Sequence, residues 1–251
     1  MEYINSGRNI LWFNAAITEV INMPNVNKIL AEYGVEPFEV GIIRETDSSK
    51  MIMNSQDLIL PNIQYSAVTK DLITTTGIIL VNSTKININE EKLEELNVVK
   101  TQLALASEKS YFRTEFTNQS SGKADEEESG EFVVGAEFEK TIKEANEELD
   151  EKAINSKLII FAENYFVTDY QLNQDYAQAA IQYAYNKDLV LNSIAYLVDR
   201  EEDITVRKST GTVTYTATAS QDITIRIVIF AVPVLIIILG IIVWQIRRRK
   251  R

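Results

Sequence analysis

Apolar positions come in short bursts along most of this chain and in one long run at its end. The bursts are 9–13 (NILWF), 38–43 (FEVGII), 77–81 (GIILV), 98–105 (VVKTQLAL), 131–138 (EFVVGAEF), 157–161 (KLIIF) and 204–207 (ITVR). They are four to eight residues long, mostly rich in β-branched or aromatic side chains, and read as strands. Two other stretches have helical spacing. In 26–33 the apolar residues are Val26, Ile29, Leu30 and Tyr33, with Pro24 and Asn25 at the start and Gly34 as the stop. In 189–198 Leu189, Leu191, Ile194, Ala195 and Val198 are assigned to the inward side. Shorter helical pieces are expected around Leu72 and from Asn89 onward. Strands interleaved with helices predict an α/β body with a largely parallel, Rossmann-like sheet.

The long run is 227–246, IVIFAVPVLIIILGIIVWQI, which holds no charge. At about 1.5 Å per residue it reaches roughly 30 Å, the thickness of a bilayer's hydrocarbon core. Pro233 and Gly240 weaken a soluble helix but are tolerated in a span. Ile227 opens the apolar stretch, Trp244 sits where an indole rests at headgroup level, and Arg247, Arg248, Arg249, Lys250 and Arg251 follow as a basic cluster. Positive flanks stay on the cytoplasmic side, so the C-terminus is expected inside and the preceding body outside. Export of that body needs a signal, and 10–13 is too short for a signal-peptide core. The chain opens near a helix end with its first strand by residue 9, so we read it as a piece of a longer protein with an upstream span. The alternative is a tail-anchored protein whose body stays in the cytosol.

The polar stretches divide the remainder. Residues 119–130 (QSSGKADEEESG) read as a mobile acidic insertion with nothing to bury. Residues 139–154 are strongly acidic and read as a solvated excursion, with a helix as the alternative, and 209–221 is a Thr/Ser-rich connector. The expected organisation is a body over 1–208, a connector over 209–225, a span over 226–246 and a basic tail over 247–251.

Charge narrows the partners. All 36 acidic residues lie at or before Asp222, and six of the 25 basic ones lie from Arg226 onward, which leaves the first 225 residues at −17. A phosphate backbone is repelled by such a body, so no nucleic-acid partner is expected. The positive tail does the reverse and favours anionic headgroups. The chain has no Cys and no His, which removes thiol nucleophiles, Ser-His-Asp triads and His-ligated zinc. There is no G-x-x-x-x-G-K-[ST] loop, so the chain is not an ATPase subunit. No cofactor and no metal site is expected: Asp125 to Glu128 lack the spaced ligands and turn glycine of a calcium loop. Asn82-Ser83-Thr84 and Asn118-Gln119-Ser120 match the glycosylation pattern, which matters only in a eukaryotic secretory setting.

One ligand-binding candidate stands out. Glu163 and Asn164 follow the strand 158–162, and ligands sit beyond the carboxyl ends of parallel strands. With Asp169 they form a candidate polar rim. A capped loop is the plainer reading. Tyr165, Tyr170, Tyr176, Tyr183 and Tyr185 gather in 21 residues, a density that suits ring stacking on a ligand or, more often, packing.

The succession of 3–13 (YINSGRNILWF), 24–35 (PNVNKILAEYGV), 41–47 (GIIRETD), 65–70 (YSAVTK), 106–111 (ASEKSY), 156–166 (SKLIIFAENYF) and 188–206 (DLVLNSIAYLVDREEDITV), closed by the span and its basic tail, resembles the C-terminal portion of the gliding-motility-associated (Gldg) family of ABC-transporter auxiliary proteins. The resemblance runs in order over nearly the whole chain and rests on that order. It implies a non-enzymatic accessory component of a bacterial ABC transport system in the cell membrane, with a permease and an ATPase as partners and a second, N-terminal span. It supplies no catalytic residues. Two other readings compete: a membrane-bound hydrolase using paired carboxylates, and the tail-anchored cytosolic adaptor.

Overall fold

The computed structural model describes residues 1–73, 77–116, 122–146, 152–173, 176–200 and 218–249. The chain opens with α1 (Glu2–Asn5), β1 (Ile10–Phe13), α2 (Pro24–Ala31) and β2 (Ile42–Arg44). Four short strands follow: β3 (Met51–Ile52), β4 (Ser55–Ile59), β5 (Asn62–Ile63) and β6 (Leu80–Val81). Then come α3 (Glu90–Glu95), β7 (Val98–Leu105), β8 (Tyr111–Arg113), β9 (Val133–Lys143) and β10 (Ile154–Phe161). A small hairpin of β11 (Gln171–Asn173) and β12 (Tyr176–Ala179) precedes α4 (Asn186–Leu197) and the terminal α5 (Ala219–Arg249). The expected strand 204–207 and most of the connector lie outside the described residues.

The main sheet has five strands in the order β1-β10-β9-β7-β5. Only β1 and β10 run parallel; every other neighbouring pair is antiparallel. The body is therefore mixed α/β and not the largely parallel, Rossmann-like sheet that the interleaved pattern suggests. The reason lies in the connections. Parallel neighbours need a crossover of a dozen or more residues. β9 and β10 are joined by 144–153, too short for one, so they turn back on each other. The acidic stretch assigned to a solvated excursion is partly strand, because β9 runs on to Lys143. The apolar run 38–43 delivers only β2, which pairs with β8 in a separate two-stranded ribbon.

β10 explains why KLIIF is apolar without alternation. Leu158 and Ile160 face one core with Leu30, Tyr33, Leu93 and Phe138. Ile159 and Phe161 face the other with Leu103, Val134, Phe166 and Leu189. Both faces are covered there, so Leu158 to Phe161 are all apolar. Helices α1 to α3 supply the first layer and α4 part of the second. Gly34, at φ +71, follows α2 as its stop signal, a backbone conformation that glycine adopts without strain.

In α4 the buried stripe differs from the one read off hydrophobicity. Ile194 and Val198 face solvent, while Asn186, Asn192 and Ser193 face inward beside Leu189 and Leu197. The buried amides each satisfy a loop. Asn186 accepts from the Ile79 N–H and donates to the Ile79 and Ala180 carbonyls. Asn192 donates to the Val68 carbonyl. A backbone group buried without a partner is costly, so polar side chains that pair with it belong inside.

α5 leaves the body as a single helix of 31 residues, about 46 Å long. Its apolar window has a mean hydropathy of 3.2 and none of it is covered by the body. It is one helix long and apolar enough to cross a membrane.

Candidate functional site

Two loops and the root of α5 meet around Glu45, which is 1% exposed. One carboxylate oxygen accepts from the backbone N–H of Thr46 and of Asp47, both at 2.8 Å, and from Ser107 Oγ at 2.8 Å. The other accepts from Ser110 Oγ at 3.1 Å. The turn after β2 and the turn between β7 and β8 are thus tied by one side chain. Asp47 reinforces the tie. It accepts from the N–H and Oγ of Ser49 and from Lys109 Nζ at 2.9 Å. These hydrogen bonds, from Ser49 first and then Lys109, hold its carboxyl down to about 2. Thr46 Oγ1 donates to the Lys109 carbonyl at 2.7 Å.

α5 begins on this platform. Thr218 and Gln221 form a capping box: the Thr218 N–H donates to Gln221 Oε1 at 2.9 Å and the Gln221 N–H donates to Thr218 Oγ1 at 3.3 Å. Ser220 donates its N–H to the Ser48 carbonyl at 3.2 Å, and Thr218 bridges Ile52 in antiparallel fashion. A helix leaves its first N–H groups unpaired. Here the body supplies one of the acceptors, and Ala219 is buried against it. The sequence holds the signal in T-x-x-Q at 218–221, which a reading of the Thr/Ser-rich tract as plain connector passes over.

The sequence-derived rim is arranged differently. Glu163 is fully buried at the end of β10. Its carboxylate accepts from the N–H of Tyr165 and, at 2.9 Å, of Phe166, at the start of a 3-10 turn over Tyr165–Val167. Burial pushes the carboxyl up to about 8, although the amides of Phe166, Tyr165, Val81 and Asn164 pull it the other way. Glu163 thus closes a turn and offers no oxygen to solvent. Asn164 is half-buried, with its Oδ1 buried and lacking a hydrogen-bond partner, and Asp169 is exposed. Beside them the exposed rings of Tyr165 and Tyr170 lie 4.7 Å apart, tilted by 42°. Tyr183 is buried and Tyr185 packs against the core. The Tyr176 side chain lies outside the described ones. With one parallel pair in the sheet, the strand-end rule that singled out this rim loses its premise.

The acidic tract holds more structure than its composition suggests. Glu127 is buried and accepts from Arg113 Nε at 3.0 Å and from the Ala124 N–H at 2.7 Å. Glu128 pairs with Lys85 at 2.7 Å, and Lys85 sits over the Phe112 ring. Residues 122–130 are therefore docked where a stretch with nothing to bury was expected, because partners far away in sequence supply the counter-charges. Residues 117–121 lie outside the described ones. In the Asn82-Ser83-Thr84 match, Ser83 and Thr84 are buried across the end of β10. Among the described residues no three carboxylates gather as a cation site requires.

Ile227 and Trp244 are exposed along α5, and Arg248 lies 5.3 Å from the Trp244 ring. Arg247 and Arg249 complete the described part of the basic end. Lys250 and Arg251 lie outside it. No family model, no curated protein and no solved structure matches the chain.

Proposed function

We propose that this chain is a membrane-anchored, non-enzymatic accessory subunit of an ABC transport system, held beside a permease and an ATPase by α5 and presenting its α/β body outside the cell. The observation that carries the reading is the direct seating of the body on the root of the span, through Ser48, Ile52 and Thr218. A body hydrogen-bonded to the root of its anchor has a preferred orientation to other proteins of the same membrane.

The stretches that carry the family resemblance pack on one another: 41–47 on 106–111 through Glu45, 65–70 on α4 through Asn192, and 3–13 on 156–166 through the parallel pair. The surface we assign to a partner or solute is the rim of exposed Tyr165, Asp169 and Tyr170 beside the half-buried Asn164. The test is affinity purification of the tagged full chain from native membranes in mild detergent. The reading expects a permease and an ATPase in stoichiometric amounts. Their absence after crosslinking in intact cells overturns it.

A further inference from the structure

The root of α5 fixes which face of the body looks at the membrane. Thr218 pairs with Ile52 in antiparallel fashion, so the chain that enters α5 runs the same way as β3 read backwards, from Ile52 to Met51 and on to Ser48. The Ser220-to-Ser48 hydrogen bond marks the next step in that direction. The turn 46–50 therefore lies on the membrane side of β3, and the hairpin turn at Met53 and Asn54 on the far side. Lys109 joins the membrane side through Asp47 and Thr46.

The stem of α5 is short. From Ala219 to Arg226 it rises about 12 Å before the apolar stretch begins. The headgroup layer fills roughly 5 to 7 Å of that. The stem also has its own charge partner, Asp222 with Arg226 at 2.8 Å. This leaves the turn 46–50 within a few ångströms of the lipid surface.

Charge fits that position. The first 225 residues carry −17 and are repelled by anionic lipid. The segments 44–50, 107–110 and 218–226 depart from this, with four acidic and four basic side chains. Several are paired in place: Arg44 with Asp57, Lys109 with Asp47, and Arg226 with Asp222. Glu45 is buried under four donors. The solvent side of the platform carries Thr46, Ser49, Glu108 and Lys109, all exposed, and the hydroxyl protons of Thr46 and Ser49 are held within it.

We infer that the platform of 46–50 and 107–110 is a lipid-facing surface that rests on the phospholipid headgroup layer, with the Lys109 ammonium, which keeps N–H donors beyond its bond to Asp47, as its contact to headgroup phosphates. It rests on α5 being a span and is independent of the transport reading.

The chain has no cysteine, so single ones report without background. We would spin-label Ser49→Cys and Asn54→Cys in the full chain, reconstituted in phosphatidylethanolamine–phosphatidylglycerol vesicles with a nickel chelate on a fraction of headgroups. The expected result is a several-fold higher collision rate with nickel at position 49 than at 54. Adding Ser220→Pro, which the first helical turn tolerates but which deletes the donor to Ser48, should shrink that ratio. Equal rates at the two positions, or water-like rates at both, overturn the inference. Release of the chain by alkaline carbonate overturns the span itself and the inference with it, whereas failure to find a permease leaves the 49-to-54 ratio unaffected.

Discussion

Glu45 and Glu163 are both buried carboxylates, and each closes a turn, but they meet different donors and should behave differently. Glu45 collects two backbone N–H groups and two hydroxyls. Removing it strands buried donors, each costing about 1–3 kcal/mol. Glu45→Ala should destabilise the body by about 3 kcal/mol and Glu45→Gln, which keeps one acceptor oxygen, by roughly half as much, read from urea midpoints in detergent. Equal stability of the alanine variant and the parent contradicts this role. Glu163 titrates. Its folded value of about 8 lies above its ordinary 4.5, so the folded state holds the proton more tightly. That contribution is complete below about pH 4.5 and is lost as the pH rises to about 8. The unfolding free energy of the parent should therefore fall across this window relative to that of Glu163→Gln, whose side chain does not titrate. Parallel pH profiles of the two proteins would refute the assignment. Glu45 does not show its role in the sequence, because 44–50 is polar throughout, whereas Glu163 closes a turn as the capped-loop reading of 163–164 has it.

At the scale of elements, the strands with continuous apolar side chains were legible and their directions were not. β1, β7 and β10 lie where NILWF, VVKTQLAL and KLIIF predict them; in β1 and in 158–161 both faces are covered, so apolar side chains run on without alternation. Direction depends on what joins the strands: between strands read as 131–138 and 157–161 the joint is long enough for a crossover, and only the extension of β9 to Lys143 and of β10 back to Ile154 shortens it to a return. The polar stripe of α4 was missed for a related reason: hydrophobicity cannot register an asparagine whose amide replaces a strand neighbour. β9 offers a direct check on packing. A Cβ on Gly135 would lie 2.8 Å from the Phe161 ring, which is held between Phe13 and Phe166 at 5.9 and 5.5 Å. Gly135→Ala should cost about 1–3 kcal/mol by overpacking, seen as a lower melting temperature, and Gly240→Ala in the span, which meets nothing within 4 Å, should leave the body's melting unchanged. Equal melting of parent and Gly135→Ala would show that the aromatic stack yields without strain.

At the scale of the whole molecule, the long apolar helix α5 is plain in the sequence and the seating of the body on its root is not. The 20 uncharged residues of 227–246 needed no structure to be recognised. The seating did, since Ser48 and Ser220 are 172 positions apart and only the fold brings them together. The measurement that bears most directly on the central claim is the side of the membrane on which the body lies. Val20 is 90% exposed and Arg248 marks the opposite end of α5. Single Val20→Cys and Arg248→Cys chains, treated with a membrane-impermeant maleimide on intact cells, should label at position 20 without lysis and at position 248 only after lysis. Labelling of position 20 only after lysis would place the acidic body in the cytosol and replace the extracytoplasmic accessory subunit with a tail-anchored adaptor.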